Sequence, residues 1–104
     1  MLIYVDIDNT ICKTEDSNYP ESEPIKENID KVNRLYDEGH TIIYWTARGG
    51  NSGIDWTVLT EKQLKQWGAK HHDLKLTKPS FDVFIDDKVL NTTDWEQGKW
   101  LGDK

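Results

Sequence analysis

MLIYVDIDNT, residues 1–10, decides the fold. Leu2-Ile3-Tyr4-Val5 is a short continuous apolar run, as expected for a central parallel strand buried on both faces. It runs straight into Asp6-Ile7-Asp8. Side chains two apart point to the same side of an extended segment, so Asp6 and Asp8 look into one space and Ile7 turns away. Two crowded carboxylates at the end of a buried strand call for positive charge beside them.

Working outward, residues 11–24 are polar, contain Pro20 and Pro24, and read as a loop with at most a small turn or hairpin. Pro24 sits where a helix can begin, with Ser22 or Glu23 as its cap. Ile25, Ile29, Val32, Leu35 and Tyr36 then share one helical face, and Gly39 ends the helix. His40 to Trp45 is a second strand, rich in β-branched and aromatic residues. It leads to Thr46-Ala47-Arg48 and the turn-forming loop 49–53. A second helix is predicted over 55–67, a short strand over 72–76, and the strongest late strand over 81–85 (FDVFI), which ends in Asp86-Asp87. Alternating strands and helices predict an α/β domain with a mostly parallel central sheet.

The 104 residues suit one domain, 1–104, with a core of limited surplus stability. Most of the five tryptophans are expected in that core. A net charge of −6 argues against nucleic acid as a partner. It still admits a small phosphorylated substrate, because a divalent cation supplies positive charge locally. The single cysteine, Cys12, allows no internal disulfide and reads as a small loop or core side chain. No stretch is apolar enough to span a membrane and none resembles a signal peptide, so the expected location is cytoplasmic. His40, His71 and His72 lack zinc-ligand spacing.

Three predicted strands run into reactive polar residues: Asp6 and Asp8, then Thr46, then Asp86 and Asp87. In open α/β sheets ligands bind beyond the carboxyl ends of the strands, so these residues are expected to converge. Four carboxylates near one point call for a hard cation, and Mg2+ is the usual choice where carboxylates and a phosphate share a site.

DIDNT after the first strand, the threonine in YWTAR, the lysine in LTKPSFD and the acidic pair in FIDDK occur in the order of the four motifs of the haloacid dehalogenase (HAD) superfamily. The chain resembles that superfamily over most of its length. TARGGNSGID, a helix, then TKP and IDDK are most similar to short phosphatases of capsule and surface-polysaccharide biosynthesis. The resemblance implies a small Rossmann-like three-layer sandwich without a cap domain, since residues 11–24 are too few to form one. It implies a Mg2+-dependent phosphomonoester hydrolase working through an aspartyl-phosphate, on a phosphorylated sugar or similar small metabolite.

In that reading Asp6 is the nucleophile. Asp8 gives a proton to the leaving oxygen and later takes one from water. Thr46, with backbone N–H groups near Asn9 and Ala47, holds phosphoryl oxygens, and Lys78 adds positive charge beside Asp6. Mg2+ is held by Asp6, the carbonyl of Asp8, Asp86 and Asp87. Arg48 is available for a second anionic group of the substrate. Lys75 and Lys88 are alternatives to Lys78, because about eight residues between Lys78 and Asp86 are too few for a crossover helix of roughly a dozen. A nucleotidase, a phosphotransferase or a receiver-like phospho-ligand module remain alternative readings. An open crevice also leaves room for a neighbouring subunit, and hence a homo-oligomer.

Overall fold

The structure, a computed structural model, describes residues 1–50 and 52–100. In chain order its elements are β1 (Leu2–Val5), β2 (Cys12–Lys13), a 3-10 turn (Tyr19–Glu21), β3 (Glu23–Pro24), α1 (Lys26–Asp37), β4 (Thr41–Trp45), α2 (Thr57–Gln66), β5 (Asp73–Lys75) and α3 (Thr92–Glu96). The domain is mixed α/β. Its main sheet has the order β1-β4-β5, and both pairings are parallel. Register is fixed by pairs such as Val5 with Tyr44 and Tyr44 with Leu74.

The helices form where apolar spacing favours them. Ile29 and Val32 of α1 and Leu64 of α2 are buried in one cluster with Val5, Ile42 and Tyr44. α1 and α2 each stop before a glycine at positive φ, Gly39 and Gly68, where the glycine N–H and the one after it turn back to carbonyls of the last helical turn. No helix is long and apolar enough to cross a membrane among the described residues.

The loop 11–24 is more ordered than the sequence suggests. Cys12–Lys13 and Glu23–Pro24 form a two-stranded antiparallel ribbon. Pro24 therefore lies in β3 rather than in the first turn of α1, and Ile25 takes the N-cap place expected of Ser22 or Glu23. The backbone N–H of Ile25 donates to the carbonyl of Ile11 at 2.8 Å, which ties the helix start to the end of the acidic loop.

Two larger expectations are corrected. Residues 81–85 form no strand; Val83 and Ile85 are 72% and 92% exposed. Strand propensity is realised only against a partner ladder, and this segment runs unpaired. β1 is consequently an edge strand rather than a central one, and Leu2 is 62% exposed. The path β1-α1-β4-α2-β5 moves one way across the sheet, and right-handed crossovers then put both helices on the same face. The described residues thus build two layers rather than three. The uncovered face carries Tyr4 and Trp45 edge to face, with ring centroids 5.6 Å apart, and Lys75 over Tyr4.

The tryptophans are also placed differently. All five are half-buried, with Trp67 and Trp95 packed on the edge of the core. Trp45 Nε1 finds Thr77 at this rim, whereas Trp56 Nε1 is buried with no partner among the described residues.

Tyr44 is fully buried, and among the described residues its hydroxyl has no hydrogen-bond partner. An unsatisfied buried polar group costs about 1–3 kcal/mol. Tyr44→Phe should therefore raise the unfolding free energy by about 1 kcal/mol or more, measured by urea denaturation.

Candidate active site

β1 ends at Val5, and the chain then turns tightly. The N–H groups of Thr10 and Ile11 both return to the carbonyl of Ile7, and the N–H of Asn9 donates to the carbonyl of Cys12 at 2.7 Å. Asn9 adopts φ 63, which asparagine tolerates better than most residues. Ile7 is completely buried, so the two acids that flank it are turned to the outer side. Asp6 and Asp8 face an open cleft of about 260 Å3 together with Thr46, Ala47, Arg48 and Lys78; Tyr19, Pro79, Ser80 and Phe81 complete its walls.

Each acid has its own cation. Lys78 Nζ lies 3.3 Å from Asp6 Oδ1. The N–H of Lys78 donates to the carbonyl of Thr46, which anchors this lysine at the carboxyl end of β4. Lys75 instead reaches the Tyr4 hydroxyl on the uncovered face, and Lys88 is exposed and absent from the cleft. Of the three candidate lysines, Lys78 is the one that meets Asp6.

Burial pushes the Asp6 carboxyl above the ordinary carboxylate range; Lys78 and the N–H of Ile7 pull it down, and Asp8 adds to the rise. Thr10 Oγ1 donates to Asp6 Oδ2 at 3.4 Å and lies 2.9 Å from the Thr92 hydroxyl, linking the acidic loop to α3.

Asp8 is held more tightly. Its Oδ1 accepts from Arg48 Nη2 at 2.9 Å and from the Thr14 hydroxyl at 2.6 Å, and its Oδ2 accepts from Arg48 Nε at 3.1 Å. This is a two-point guanidinium–carboxylate pair, the strongest ionic geometry available to these side chains. Arg48 Nη1 donates to Thr60 Oγ1 at 3.1 Å and to Gln63 Oε1 at 2.6 Å, while Nη2 also points at Cys12 Sγ at 3.9 Å. A guanidinium has five N–H donors, and these contacts occupy all of them. Arg48 therefore has no donor left for a second anionic group of a substrate, contrary to the expectation from sequence.

Thr46 is buried, and its hydroxyl oxygen accepts the Arg48 backbone N–H at 3.2 Å. Its own hydroxyl proton has no acceptor among the described residues. Ala47 lines the cleft beside it, whereas Asn9 shapes the acidic loop without lining the cleft.

Asp86 and Asp87 do not join the cleft. Both are exposed, and the N–H of Lys88, with help from Asp87, holds the Asp86 carboxyl below its ordinary range. The acidic pair was expected to arrive at the end of a strand over 81–85, and that strand does not form. Among the described residues no group of three or more histidine, cysteine, aspartate or glutamate side chains is placed to hold a metal ion.

Sequence reasoning missed Tyr19, Thr60 and Gln63. Thr60 and Gln63 lie three apart on α2, so they share a face, and both are buried polar residues beside the apolar Leu64. That pattern was visible. Tyr19, a lone aromatic in a polar loop, gave a weaker signal. In the loop 49–53 the N–H of Gly50 donates to the carbonyl of Ala47, and that of Gly53 to the carbonyl of Gly49. Asn51 of this loop lies outside the described residues.

No protein-family profile matches the chain, and no curated protein does. The fold is similar to a crystal structure of a protein from Vibrio cholerae, with a TM-score of 0.79 at 20% identity over 90% of this chain and 85% of that one.

Gly49 has φ +84, and a Cβ there would meet the carbonyl oxygen of Ile54 at 2.2 Å. Gly49→Ala should destabilise the domain by about 1–3 kcal/mol, read from the urea midpoint. A second expectation concerns Asp6. Its folded carboxyl holds a proton more tightly than the unfolded one, so its ionisation destabilises the fold once pH exceeds the folded value. In metal-free buffer at pH 7, Asp6→Asn should raise the melting temperature. The gain should shrink as pH falls through the range between the folded and unfolded values and vanish below the unfolded one.

Proposed function

We propose that the chain is a phosphomonoester hydrolase of the haloacid dehalogenase type, without a cap domain, acting through an aspartyl-phosphate on a small phosphorylated metabolite such as a sugar phosphate. The observation that carries this reading is the convergence on one cleft of Asp6 and Asp8 after β1, Thr46 after β4 and Lys78 in the segment that follows β5. A carboxylate nucleophile, a proton carrier two residues away, a hydroxyl and a cation are the groups that phosphoryl transfer needs.

In the first half-reaction an Asp6 oxygen attacks phosphorus, the bond to the leaving oxygen breaks, and Asp8 supplies the proton that oxygen takes up, a role that requires the acid form with the proton on Oδ2, the oxygen that accepts from Arg48 Nε alone. In the second, water attacks the same phosphorus, Asp8 accepts its proton, and the Asp6–phosphorus ester breaks to release inorganic phosphate. Lys78 reduces the repulsion between the Asp6 carboxylate and the incoming phosphate. The Thr46 hydroxyl and the Ala47 N–H would hold the equatorial oxygens, whereas the Asn9 N–H expected beside them is already given to the Cys12 carbonyl; each such preorganised donor is worth a few kcal/mol in the transition state.

The resemblance also implies Mg2+, which when bound neutralises charge on the transferring group. The donors at the cleft do not by themselves fit such an ion. The Asp8 carboxylate is taken up by Arg48 and Thr14, which leaves its carbonyl as the ligand on offer there, Asp6 is paired with Lys78, and Asp86 and Asp87 lie elsewhere. The net charge of −6 and the small open cleft favour a metabolite over nucleic acid.

The test is phosphate release from a panel of sugar phosphates, nucleotides and other phosphomonoesters, with Mg2+ and with excess EDTA. The wild type should release phosphate, and Asp6→Asn should lose at least about a thousandfold in kcat while staying folded. Near-normal turnover by Asp6→Asn would remove the nucleophile and with it the proposal. Full activity in EDTA would leave Asp6 in place and remove the cation.

A further inference from the structure

Arg48 is one of the most buried charged residues in the chain and is joined to three separate segments. It grips both oxygens of Asp8, it is held from behind by Thr60 and Gln63 of α2, and the Tyr19 ring stacks on it with the guanidinium carbon 4.8 Å from the ring centroid. Gln63 closes the circuit, because its Nε2 donates to the Tyr19 carbonyl at 2.7 Å. Thr14, from the same loop as Tyr19, binds the Asp8 oxygen that Arg48 Nη2 holds, and Ser22 lies 2.6 Å from the Thr14 hydroxyl.

We infer that Arg48 is a positioning residue: it fixes the Asp8 carboxylate at the cleft and fastens the loop 13–22 over that carboxylate, without touching substrate. The reason is donor bookkeeping at a planar fork. All five N–H groups point at protein acceptors, so the guanidinium has nothing to offer a ligand, yet the fork sets the angle of Asp8 in two directions at once. Lysine carries the same charge but not the fork. Where this bears on turnover it rests on the phosphatase reading above; the hold on Asp8 and on the loop does not.

The experiment uses the full chain as wild type, Arg48→Lys and Gln63→Ala. Amide hydrogen exchange at Glu21 and Ser22, whose N–H groups close the 3-10 turn, should quicken at least tenfold in both variants, while amides of β4 keep their protection. A double-mutant cycle of Arg48→Lys with Asp8→Asn, read by urea unfolding, should show at least fivefold coupling in the unfolding constant. On the substrate that the wild type turns over best, Arg48→Lys should lower kcat at least tenfold and leave KM within threefold.

Unchanged exchange in both variants, or coupling below twofold, overturns the inference whatever the activity. A KM raised tenfold with kcat kept also overturns it, and makes Arg48 a substrate contact. If Arg48→Lys does not fold, Gln63→Ala decides by loop exchange. If the wild type releases no phosphate, the phosphatase reading falls, and exchange and coupling still judge Arg48.

Discussion

Two carboxylates one residue apart at the end of a four-residue strand repel each other, and in a cleft they also lose water. Each needs a cation of its own before the chain can close around them. Asp8 finds it in Arg48, whose side chain is entirely buried, and Asp6 finds it in the ammonium of Lys78. The first pair is the stronger constraint. A guanidinium with no contact to water cannot lose its carboxylate without leaving a buried charge unpaired, so Asp8, α2 and the loop around Tyr19 must assemble together. Much of the local structure follows: the ribbon that returns the chain after residue 13, the inward polar face of α2, and the Tyr19 ring over the guanidinium.

Asp6 stands in contrast. Its partner is monodentate and partly exposed, and burial still leaves the carboxyl above its ordinary range. One carboxylate is thus fully satisfied and held still, while its neighbour is under-compensated. In the proposed reaction this division would let Asp8 move protons from a fixed direction while Asp6 attacks, since a nucleophile held by too many donors is a poor one. Thr46 has the same character: its oxygen accepts the Arg48 N–H, and its proton has no acceptor among the described residues.

The sheet explains why the site is open. Its strands are laid down in one direction from β1, so both crossover helices fall on one face and the other face keeps Tyr4 and Trp45 at its surface. Nothing pairs with β1 on its free side among the described residues, and the segment 81–85 keeps its apolar side chains exposed. The cleft therefore has walls from the Tyr19 loop and from Pro79 to Phe81, but no strand beyond β1 to carry further acids toward it.

The residue order by itself determined the elements that depend on near neighbours. Apolar spacing specified α1, β4 and β5 to within a residue or two, α2 to about the same margin, and the alternation of Asp6, Ile7 and Asp8 fixed which side chains face the cleft. Such features follow from periods of 3.6 and 2 along the chain. Only the tertiary structure decided which lysine meets Asp6, that the Arg48 fork turns inward, that Pro24 joins a ribbon rather than a helix, and that 81–85 stays unpaired. Each of these is a competition among partners far apart in sequence, settled by burial and by which donors and acceptors remain free, and no local pattern records that outcome.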